Sequence, residues 1–279
     1  MVNAEQEDYW NNDGGNRWVA DNQELDELLA PFKKLIVDKL DLSSGDNVID
    51  IGCGAGDLSF EIADIVGESG AVTGVDISDP LIDLAQSRRG NDYPQTNFVK
   101  ADAAQWQPQT PADAIASRFG VMFFDDPVAS FRNINAATKP KGKLSFVCWQ
   151  SMMENEWIAG PVAAIISRLQ KAPPPTDPFA PGPFALADKD RVRNILTESG
   201  WTNIEIDPWQ DQLTIPGSTA EKSADFISRN GPARKLAEML EADMDVVDSI
   251  VKEVLQSRAD DQGTVKLGGA AWIVSATKA

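Results

Sequence analysis

The most regular pattern along this chain is an alternation of short β-branched runs with longer segments whose apolar positions recur at helical spacing. Five runs read as buried strands: 48–51, 71–75, 96–100, 113–117 and 142–150. Phe60, Ile62 and Ile65 mark one of the intervening helices. Alternation of this kind is typical of a parallel, doubly wound sheet, whose ligands bind beyond the carboxyl ends of the strands.

Helical spacing also precedes and follows these strands. Leucines and other apolar residues between 25 and 40 predict a helix that Pro31 kinks or splits. A second helix is predicted over 78–89, capped by Ser78 or Asp79. A third runs from the Asp125-Asp126-Pro127 cap to about residue 138, and residues 139–142 turn the chain into the fifth strand.

The regular alternation stops after Gln150. Helices are expected over 154–170, 188–199, 232–240 and 247–255, with strands over 201–209 and 267–277 and a proline-rich covering loop over 172–184. These patterns divide the chain into an N-terminal covering segment and helix (1–41), an α/β core (42–150), an insertion (151–190) and C-terminal strands (191–279) with a helical insertion (210–264). We expect both insertions to form a lid.

Three glycines follow the first strand, at Gly52, Gly54 and Gly56. Glycine allows a tight turn and lets a ligand approach backbone amides at the start of a helix. The spacing G-x-G-x-G differs from the dinucleotide fingerprint, because Asp57 stands where its third glycine belongs. No Lys or Arg occurs from Val48 to Ser78, whereas six carboxylates do, which argues against a phosphate.

Asp76 ends the second strand, twenty positions after Gly56, where a carboxylate can accept hydrogen bonds from ribose hydroxyls. The expected ligand therefore carries a ribose, no phosphate and a positive charge. S-adenosyl-L-methionine, with a ribose, an ammonium group and a sulfonium, has this chemistry.

Several stretches, in order, resemble a known family. D-I-G-C-G-A-G-D at 50–57 resembles motif I of class I S-adenosylmethionine-dependent methyltransferases, and G-V-D-I-S at 74–78 resembles their ribose-binding strand end. F-V-K-A-D-A (98–103), D-A-I-A-S-R-F-G (113–120) and G-K-L-S-F-V-C-W-Q (142–150) resemble the next three motifs. The resemblance covers roughly 8–209 plus the last strand and is closest to the small-molecule, ubiquinone/menaquinone-type group.

The resemblance implies a fold and a set of cofactor residues. The fold is α/β, a doubly wound, mostly parallel seven-stranded sheet of the class I methyltransferase-like Rossmann type, with a helical lid and the last strand antiparallel between the fifth and sixth. Asp50 and the glycine turn would hold the methionine end, Asp76 the ribose, and Asp102 with Ala103 the adenine edge. The remaining cofactor candidates are Ile77 and Leu81 beside the adenine, and Ser117 at a strand end.

Residues for the methyl acceptor are candidates of a second kind. Phe119 and Met122 belong to an apolar patch directly after a strand end, and Trp149 ends the fifth strand. The N-terminal aromatics Tyr9, Trp10 and Trp18 lie in a turn-rich opening with no regular period, and they either pack on the core or close over the cofactor. We expect closure. Asp125, Asp126 and Glu154 are candidates for positioning the acceptor, and no catalytic base is assigned.

Composition excludes several classes of function. The chain has no histidine, which removes the usual zinc ligand and general base, and its two cysteines lack the spacing of a metal site, so no metal is expected. A net charge of −18 disfavours nucleic acids and anionic membranes as partners. The opening residues lack a basic and apolar leader pattern, and no stretch of eighteen apolar residues occurs, so a cytoplasmic location is expected.

These observations predict transfer of a methyl group from S-adenosylmethionine to a small, partly hydrophobic acceptor by in-line displacement. Alignment and exclusion of water dominate such a reaction, so a site without histidine suits it. The attacking atom can be oxygen, carbon, nitrogen or sulfur. Two alternatives stay open: a catalytically silent S-adenosylmethionine-binding module, and a nicotinamide-dependent oxidoreductase, which Asp57 and the missing basic residues disfavour. Oligomeric state is left open.

Overall fold

The protein is described by a computed structural model that covers residues 3–174 and 177–279. Residues 1–2 of the predicted covering segment, and residues 175–176 of the predicted proline-rich loop, lie outside the described residues.

A single sheet of seven strands organises the chain, in the order β3-β2-β1-β4-β5-β7-β6. The strands are β1 (Asn47–Ile51), β2 (Ala71–Asp76), β3 (Thr96–Lys100), β4 (Ala112–Arg118), β5 (Thr138–Trp149), β6 (Trp201–Thr214) and β7 (Lys266–Lys278). All neighbouring pairs from β3 to β5 are parallel, and β7 runs antiparallel to both β5 and β6. The predicted doubly wound, mostly parallel sheet is confirmed, including the place of the last strand.

Helices cover the sheet and extend beyond it. They are α1 (Ala4–Asn11), α2 (Asp13–Ala20), α3 (Asn22–Leu29), α4 (Pro31–Leu40), α5 (Asp57–Val66), α6 (Asp79–Arg89), α7 (Pro127–Ala136), α8 (Glu156–Leu169), α9 (Lys189–Glu198), α10 (Ala220–Arg229), α11 (Gly231–Met239) and α12 (Met244–Gln256). Pro31 splits the predicted helix into α3 and α4 and occupies the start of α4, where its missing N–H costs nothing. In the described part of the chain, no helix is both long and apolar enough to span a bilayer.

The prediction of an irregular N-terminal opening is wrong, because residues 4–20 form α1 and α2. The helical pattern is weak here since α1 buries none of its side chains and is held by tertiary hydrogen bonds instead. The Ser78 hydroxyl donates to the Trp10 carbonyl at 2.6 Å, and the side-chain amide of Asn11 donates to the Ile77 carbonyl at 2.9 Å. Gly15 looks like a turn residue, yet a Cβ there would lie 2.0 Å from the Trp10 carbonyl oxygen, so glycine permits α1 and α2 to pack closely.

Three other boundaries differ from the sequence pattern. Helix α10 was not predicted, and β6 continues to Thr214 because β7 pairs with it along its full length. The predicted turn at 139–142 is a bulge inside β5: Thr138 pairs with Ala112 and Lys143 with Ala114, and Lys141 has a φ of 66°. Extra residues on one strand of a pair are accommodated in this way without ending the strand.

The second half of the chain adds a helical layer, which we define as α8, α10, α11 and α12. These helices pack on one another, and α8 also packs on β7. The layer is tied to the N-terminal helices through Asp21, a buried residue between α2 and α3. Asp21 accepts hydrogen bonds from Arg229 at 3.0 Å and from Asn230 at 2.7 Å.

The core of the molecule has an aromatic centre at Phe32 of α4. Its side chain is fully buried and packs edge-on against Phe119, Trp149 and Trp209, with ring centroids 4.9, 5.4 and 4.6 Å away. One residue thereby joins α4 to the ends of β4 and β5 and to β6.

We expect Phe32→Ala to lower the free energy of unfolding by about 3–5 kcal/mol, because it leaves a cavity among three aromatic rings. Phe179, 49% exposed, is the matched control, and Phe179→Ala is expected to cost less than about 1 kcal/mol. Urea titration of the two variants and the wild type measures both values. Equal losses in the two variants would contradict the central place of Phe32.

Candidate functional site

A cavity that is open to solvent lies at the carboxyl ends of β1, β2, β3 and β4. The strand order reverses between β1 and β4, and ligands of doubly wound sheets bind at such a switch point. A smaller cavity adjoins it, and the two share Trp18, Gly52, Gly54, Leu81 and Arg118 as walls.

The three glycines of the turn have different roles. Gly52 has a φ of 66°, and a Cβ there would lie 2.7 Å from the Cα of Gly120, so the ends of β1 and β4 approach each other too closely for a side chain. Gly54 has a φ of 53° with nothing within 4 Å of its Cβ position, so it leaves room on the cavity side. Gly56 lies against Phe98 and Phe60 and does not line the cavity.

Asp76 connects the glycine turn to the end of β2. Its carboxylate accepts hydrogen bonds from the backbone amides of Gly54 at 2.8 Å and Ser78 at 2.9 Å. Burial raises the pKa of Asp76, and these two amides act in the opposite direction by stabilising the charged form. Asp76, Ile77 and Leu81 all line the cavity, so its middle presents a carboxylate between apolar walls.

Asp102 and Ala103 line the cavity beyond β3. Asp102 accepts hydrogen bonds from the Ala104 amide at 2.9 Å and from the side-chain amide of Asn3 at 2.8 Å. Asn3 also makes two hydrogen bonds with Asp125. The backbone amide of Asn3 donates to the Asp125 carboxylate at 2.6 Å, and the backbone amide of Asp125 donates to the side-chain oxygen of Asn3 at 2.8 Å. Asn3 therefore fastens the N-terminal segment over this end of the cavity.

Asp50 is buried in the smaller cavity and is only partly satisfied. Ser59 donates to Oδ2 at 2.7 Å, whereas Oδ1 has no hydrogen-bond partner among the described residues. Burial raises the pKa of Asp50 to about 7. A buried carboxylate oxygen without a donor is suited to a ligand that brings one, such as an ammonium group. Ser117 does not line either cavity; it is buried and donates to the Ile51 carbonyl at 2.7 Å, which joins β4 to β1.

The aromatic wall of the larger cavity consists of Trp10, Trp18, Phe119, Phe123 and Phe124. Phe119 has a φ of 63°, a strained conformation for a bulky residue, and its ring stacks on Trp149 at 4.1 Å. Sequence reasoning selected Phe119, Trp10 and Trp18 but not Phe123 and Phe124, although both belong to the apolar patch after β4. Asn3 and Gln6 also line the larger cavity, and no motif or hydrophobic pattern in the sequence identifies them.

The remaining candidates lie away from the cavity. Tyr9 is 44% exposed, Met122 is buried beneath the wall, and Trp149 is buried behind Phe119. Asp126 caps α7 through the Ala129 amide at 2.9 Å, and Glu154 accepts from the Ser151 hydroxyl at 3.0 Å. Asp125 is occupied by Asn3. None of the three acids lines the cavity as the described residues define it.

The cover of the cavity also differs from the expected lid. Asn3, Gln6, Trp10 and Trp18 of the N-terminal segment line it, whereas no described residue of the helical layer does. The helical layer packs beside the sheet and touches this cover through Asp21. Chain order places the N-terminal helices directly before the strand that carries the glycine turn, but their position over the cavity depends on tertiary contacts.

The charge argument from the sequence needs one correction. Asp57 pairs with Arg118 at 2.8 Å and with Lys33 at 3.1 Å, cations that come from β4 and α4. Asp57 is therefore neutralised and does not repel an anion as its place in the sequence suggests. Asp50, Asp76 and Asp102 make no ion pair among the described residues, so the acidic character of the cavities depends on these three.

Titration of Asp50 predicts a pH-dependent stability for the protein without ligand. Because burial raises its pKa from 3.8 to about 7, the folded state keeps a proton between about pH 4 and 7 that the unfolded chain releases. The contribution of Asp50 to the free energy of unfolding therefore falls as pH rises through this window. Relative to the wild type, we expect the free energy of unfolding of Asp50→Asn to rise by a few kcal/mol as the pH goes from about 5 to about 8. Urea titration of both proteins at each pH measures this difference. A difference that is the same at every pH would contradict the raised pKa.

Comparison with known proteins agrees with this geometry. Residues 42–200 match a family model described as a methyltransferase domain. A 2-phytyl-1,4-naphtoquinone methyltransferase of Nostoc sp. is 29% identical over 119 residues, covering 42% of this chain and 52% of the relative. A demethylmenaquinone methyltransferase of Staphylococcus saprophyticus is 21% identical over 185 residues, covering 63% and 78%. A trans-aconitate 2-methyltransferase of Rhizobium rhizogenes is 28% identical over 155 residues, covering 56% of each chain.

The chain thus spans about half the length of two of these three relatives. Among solved structures, the YcgJ protein of Bacillus subtilis shares the fold with a TM-score of 0.59 at 16% identity, covering 89% of this chain and 98% of that one. Phosphoethanolamine N-methyltransferase 2 of Haemonchus contortus, solved in complex with S-adenosyl-L-methionine, shares it with a TM-score of 0.53 at 19% identity, covering 89% and 52%. The family match spans more than half of the chain and includes β1 to β5 with the glycine turn. The fold is also the class I fold that the motifs predict. This chain therefore belongs to the methyltransferase domain family.

Proposed function

We propose that this protein transfers the methyl group of S-adenosyl-L-methionine to a small, partly hydrophobic acceptor. The observation that carries the proposal is the switch-point cavity, which places Asp76 at the end of β2 and Asp102 after β3 together with an aromatic wall. The adjoining smaller cavity adds Asp50 of β1. When bound, the cofactor supplies an electrophilic methyl group on a sulfonium. The residues of this chain bind it, orient it and exclude water.

The middle of the cavity fits a nucleoside. Asp76 keeps lone pairs free beside its two amide hydrogen bonds, so it can also accept from the two ribose hydroxyls. Asp102 can accept from an exocyclic amino group, the position that the Asn3 side-chain amide takes in this structure. Ile77 and Leu81 supply apolar side chains against which a base can pack.

The smaller cavity fits the methionine end. The unpaired Oδ1 of Asp50 offers a buried acceptor for an ammonium group, and ionisation of Asp50 is then favoured by the cation. Binding of an ammonium group therefore offsets the cost of burying this unpaired carboxylate oxygen.

The acceptor end follows from the aromatic wall. Trp10, Phe119 and Phe123 line the cavity, and aromatic side chains suit a flat, apolar acceptor. Two relatives are named as quinone methyltransferases and one as a trans-aconitate methyltransferase, so the acceptors of similar chains differ. We propose an aromatic or quinone-like acceptor. In-line methyl transfer needs alignment of the acceptor and exclusion of water more than it needs a base, so an aromatic wall without a histidine suits it.

The proposal includes a cytoplasmic location and a small molecule rather than a nucleic acid as the substrate. The net charge of −18 supports the second point, since such a surface repels a phosphate backbone.

Release of S-adenosylhomocysteine in the presence of hydroxylated quinones tests the function directly. Turnover supports the enzyme, whereas cofactor binding without turnover of any acceptor would favour a silent binding module.

We expect Asp76→Ala to weaken S-adenosylhomocysteine binding by about ten- to a hundredfold, because the ribose hydroxyls lose a charged acceptor. Isothermal titration calorimetry measures the change. Asp79→Ala is the matched control, since Asp79 lies three residues further on and pairs with Lys100 outside the cavity. Unchanged affinity of a folded Asp76→Ala variant would remove Asp76 from the site.

We expect the cofactor to protect the N-terminal helices from limited proteolysis and deletion of residues 1–20 to leave a folded sheet with little turnover. Trp10 and Trp18 line the cavity, so a chain without them leaves the site open to water. Mass spectrometry of the fragments identifies the cut sites. The same cleavage rate with and without S-adenosylhomocysteine would show that these helices do not close on the cofactor.

A further inference from the structure

We propose that Arg118 binds a carboxylate where the two cavities meet, an inference that rests on the proposed function. Arg118 ends β4 and lines both cavities. Among residues 3–174 and 177–279 it is the only lysine or arginine in either lining. A negatively charged ligand group in this site has no other cationic side chain to meet.

The guanidinium of Arg118 is held in place by two carboxylates. Nη1 lies 2.8 Å from Asp57 and Nη2 lies 3.2 Å from Asp26, and the side chain is only 12% exposed. Asp57 begins α5 directly after the glycine turn, and Asp26 lies on α3. Arg118 therefore presents a fixed, mostly desolvated donor group, which strengthens any charge pair it makes.

Asp26 and Asp57 each pair with a second cation. Arg118 can therefore donate hydrogen bonds to a ligand while both carboxylates keep an ion pair. Asp26 pairs with Arg88 at 2.8 Å, closer than its 3.2 Å contact with Arg118. Asp57 also pairs with Lys33 at 3.1 Å. A guanidinium has five N–H donors, and the pairs with Asp57 and Asp26 engage only its two terminal nitrogens. A ligand carboxylate can thus join the network or displace the longer Asp26 contact.

The carboxylate has two possible sources, the methionine part of the cofactor and an acid group on the acceptor. Asp50, with its unpaired oxygen, lines the same smaller cavity as Arg118. A carboxylate acceptor and a guanidinium donor in one small cavity match the ammonium and carboxylate of an α-amino acid. The cofactor is therefore the first source to test.

The experiment compares two ligands that differ only in the amino acid part. S-adenosylhomocysteine carries the carboxylate, and 5′-methylthioadenosine lacks the whole amino acid. We expect Arg118→Gln to weaken binding of S-adenosylhomocysteine by about ten- to a hundredfold, and to leave the affinity for methylthioadenosine unchanged. Arg118→Lys keeps the charge without the planar fork, so its loss should be smaller. Calorimetry measures all affinities.

Arg89→Gln is the matched control, because Arg89 lies on the neighbouring helix α6, lines neither cavity and donates to the backbone carbonyls of Tyr93 and Pro94. It should leave both affinities unchanged. The affinity for methylthioadenosine also reports whether the Arg118 variants keep a folded nucleoside site.

Each outcome decides the proposal. A loss confined to S-adenosylhomocysteine supports it with the cofactor as the source. Unchanged cofactor affinity, with weaker binding of 2-hydroxybenzoate to the protein saturated with methylthioadenosine, supports it with the acceptor as the source. Equal losses for both nucleosides, or no change for any of the three ligands, overturn it. If the wild type binds neither nucleoside, the proposed function fails first and this inference fails with it.

Discussion

The approach of the β1 end to the β4 end, where the Cα atoms of Gly52 and Gly120 leave no room for a Cβ, is the constraint on which the site depends. It brings the carboxyl ends of the central strands together at the place where the strand order reverses. Asp76 then fixes the turn from the other side, by accepting from the Gly54 amide. A side chain at either glycine would separate β1 from β4 and open the turn on which Asp50, Asp76 and the cavity wall are arranged.

The carboxylates around this turn are of two kinds, those without an ion pair among the described residues and those paired with a cation. Asp50, Asp76 and Asp102 meet the cavities without a cationic partner, so burial raises the pKa of Asp50 and Asp76 and the site favours hydroxyls and positive charge. Behind them, Asp57 and Asp26 are neutralised by Arg118, Lys33 and Arg88. The carboxylates around the glycine turn therefore form two sets. Asp50, Asp76 and Asp102 face the cavities, whereas Asp57 and Asp26 hold the guanidinium of Arg118.

The N-terminal helices, rather than the long insertions, border the larger cavity among the described residues. The N-terminal helices cover the cavity through Asn3, Gln6 and Trp10, and Asp21 ties them to the helical layer through Arg229 and Asn230. The cover bears few buried side chains of its own, so its stability is low compared with that of the sheet. Segments of this kind can open for ligand exchange and close for the reaction.

The sequence by itself determined the sheet, the order of the motifs and the residues at strand ends. Buried parallel strands are continuous apolar runs, and glycines with positive φ and carboxylates after strand ends depend on local backbone geometry that the sequence encodes. Only the tertiary structure decided which helices cover the cavity, since α1 lacks an amphipathic face and Gly15 serves a contact with Trp10 rather than a turn. It also decided that Trp149 and Met122 lie behind the wall, and that Arg118 lines both cavities while pairing with Asp57, sixty-one positions away. Contacts between residues far apart in the chain carry no periodic signal, because they arise only when separate elements pack together.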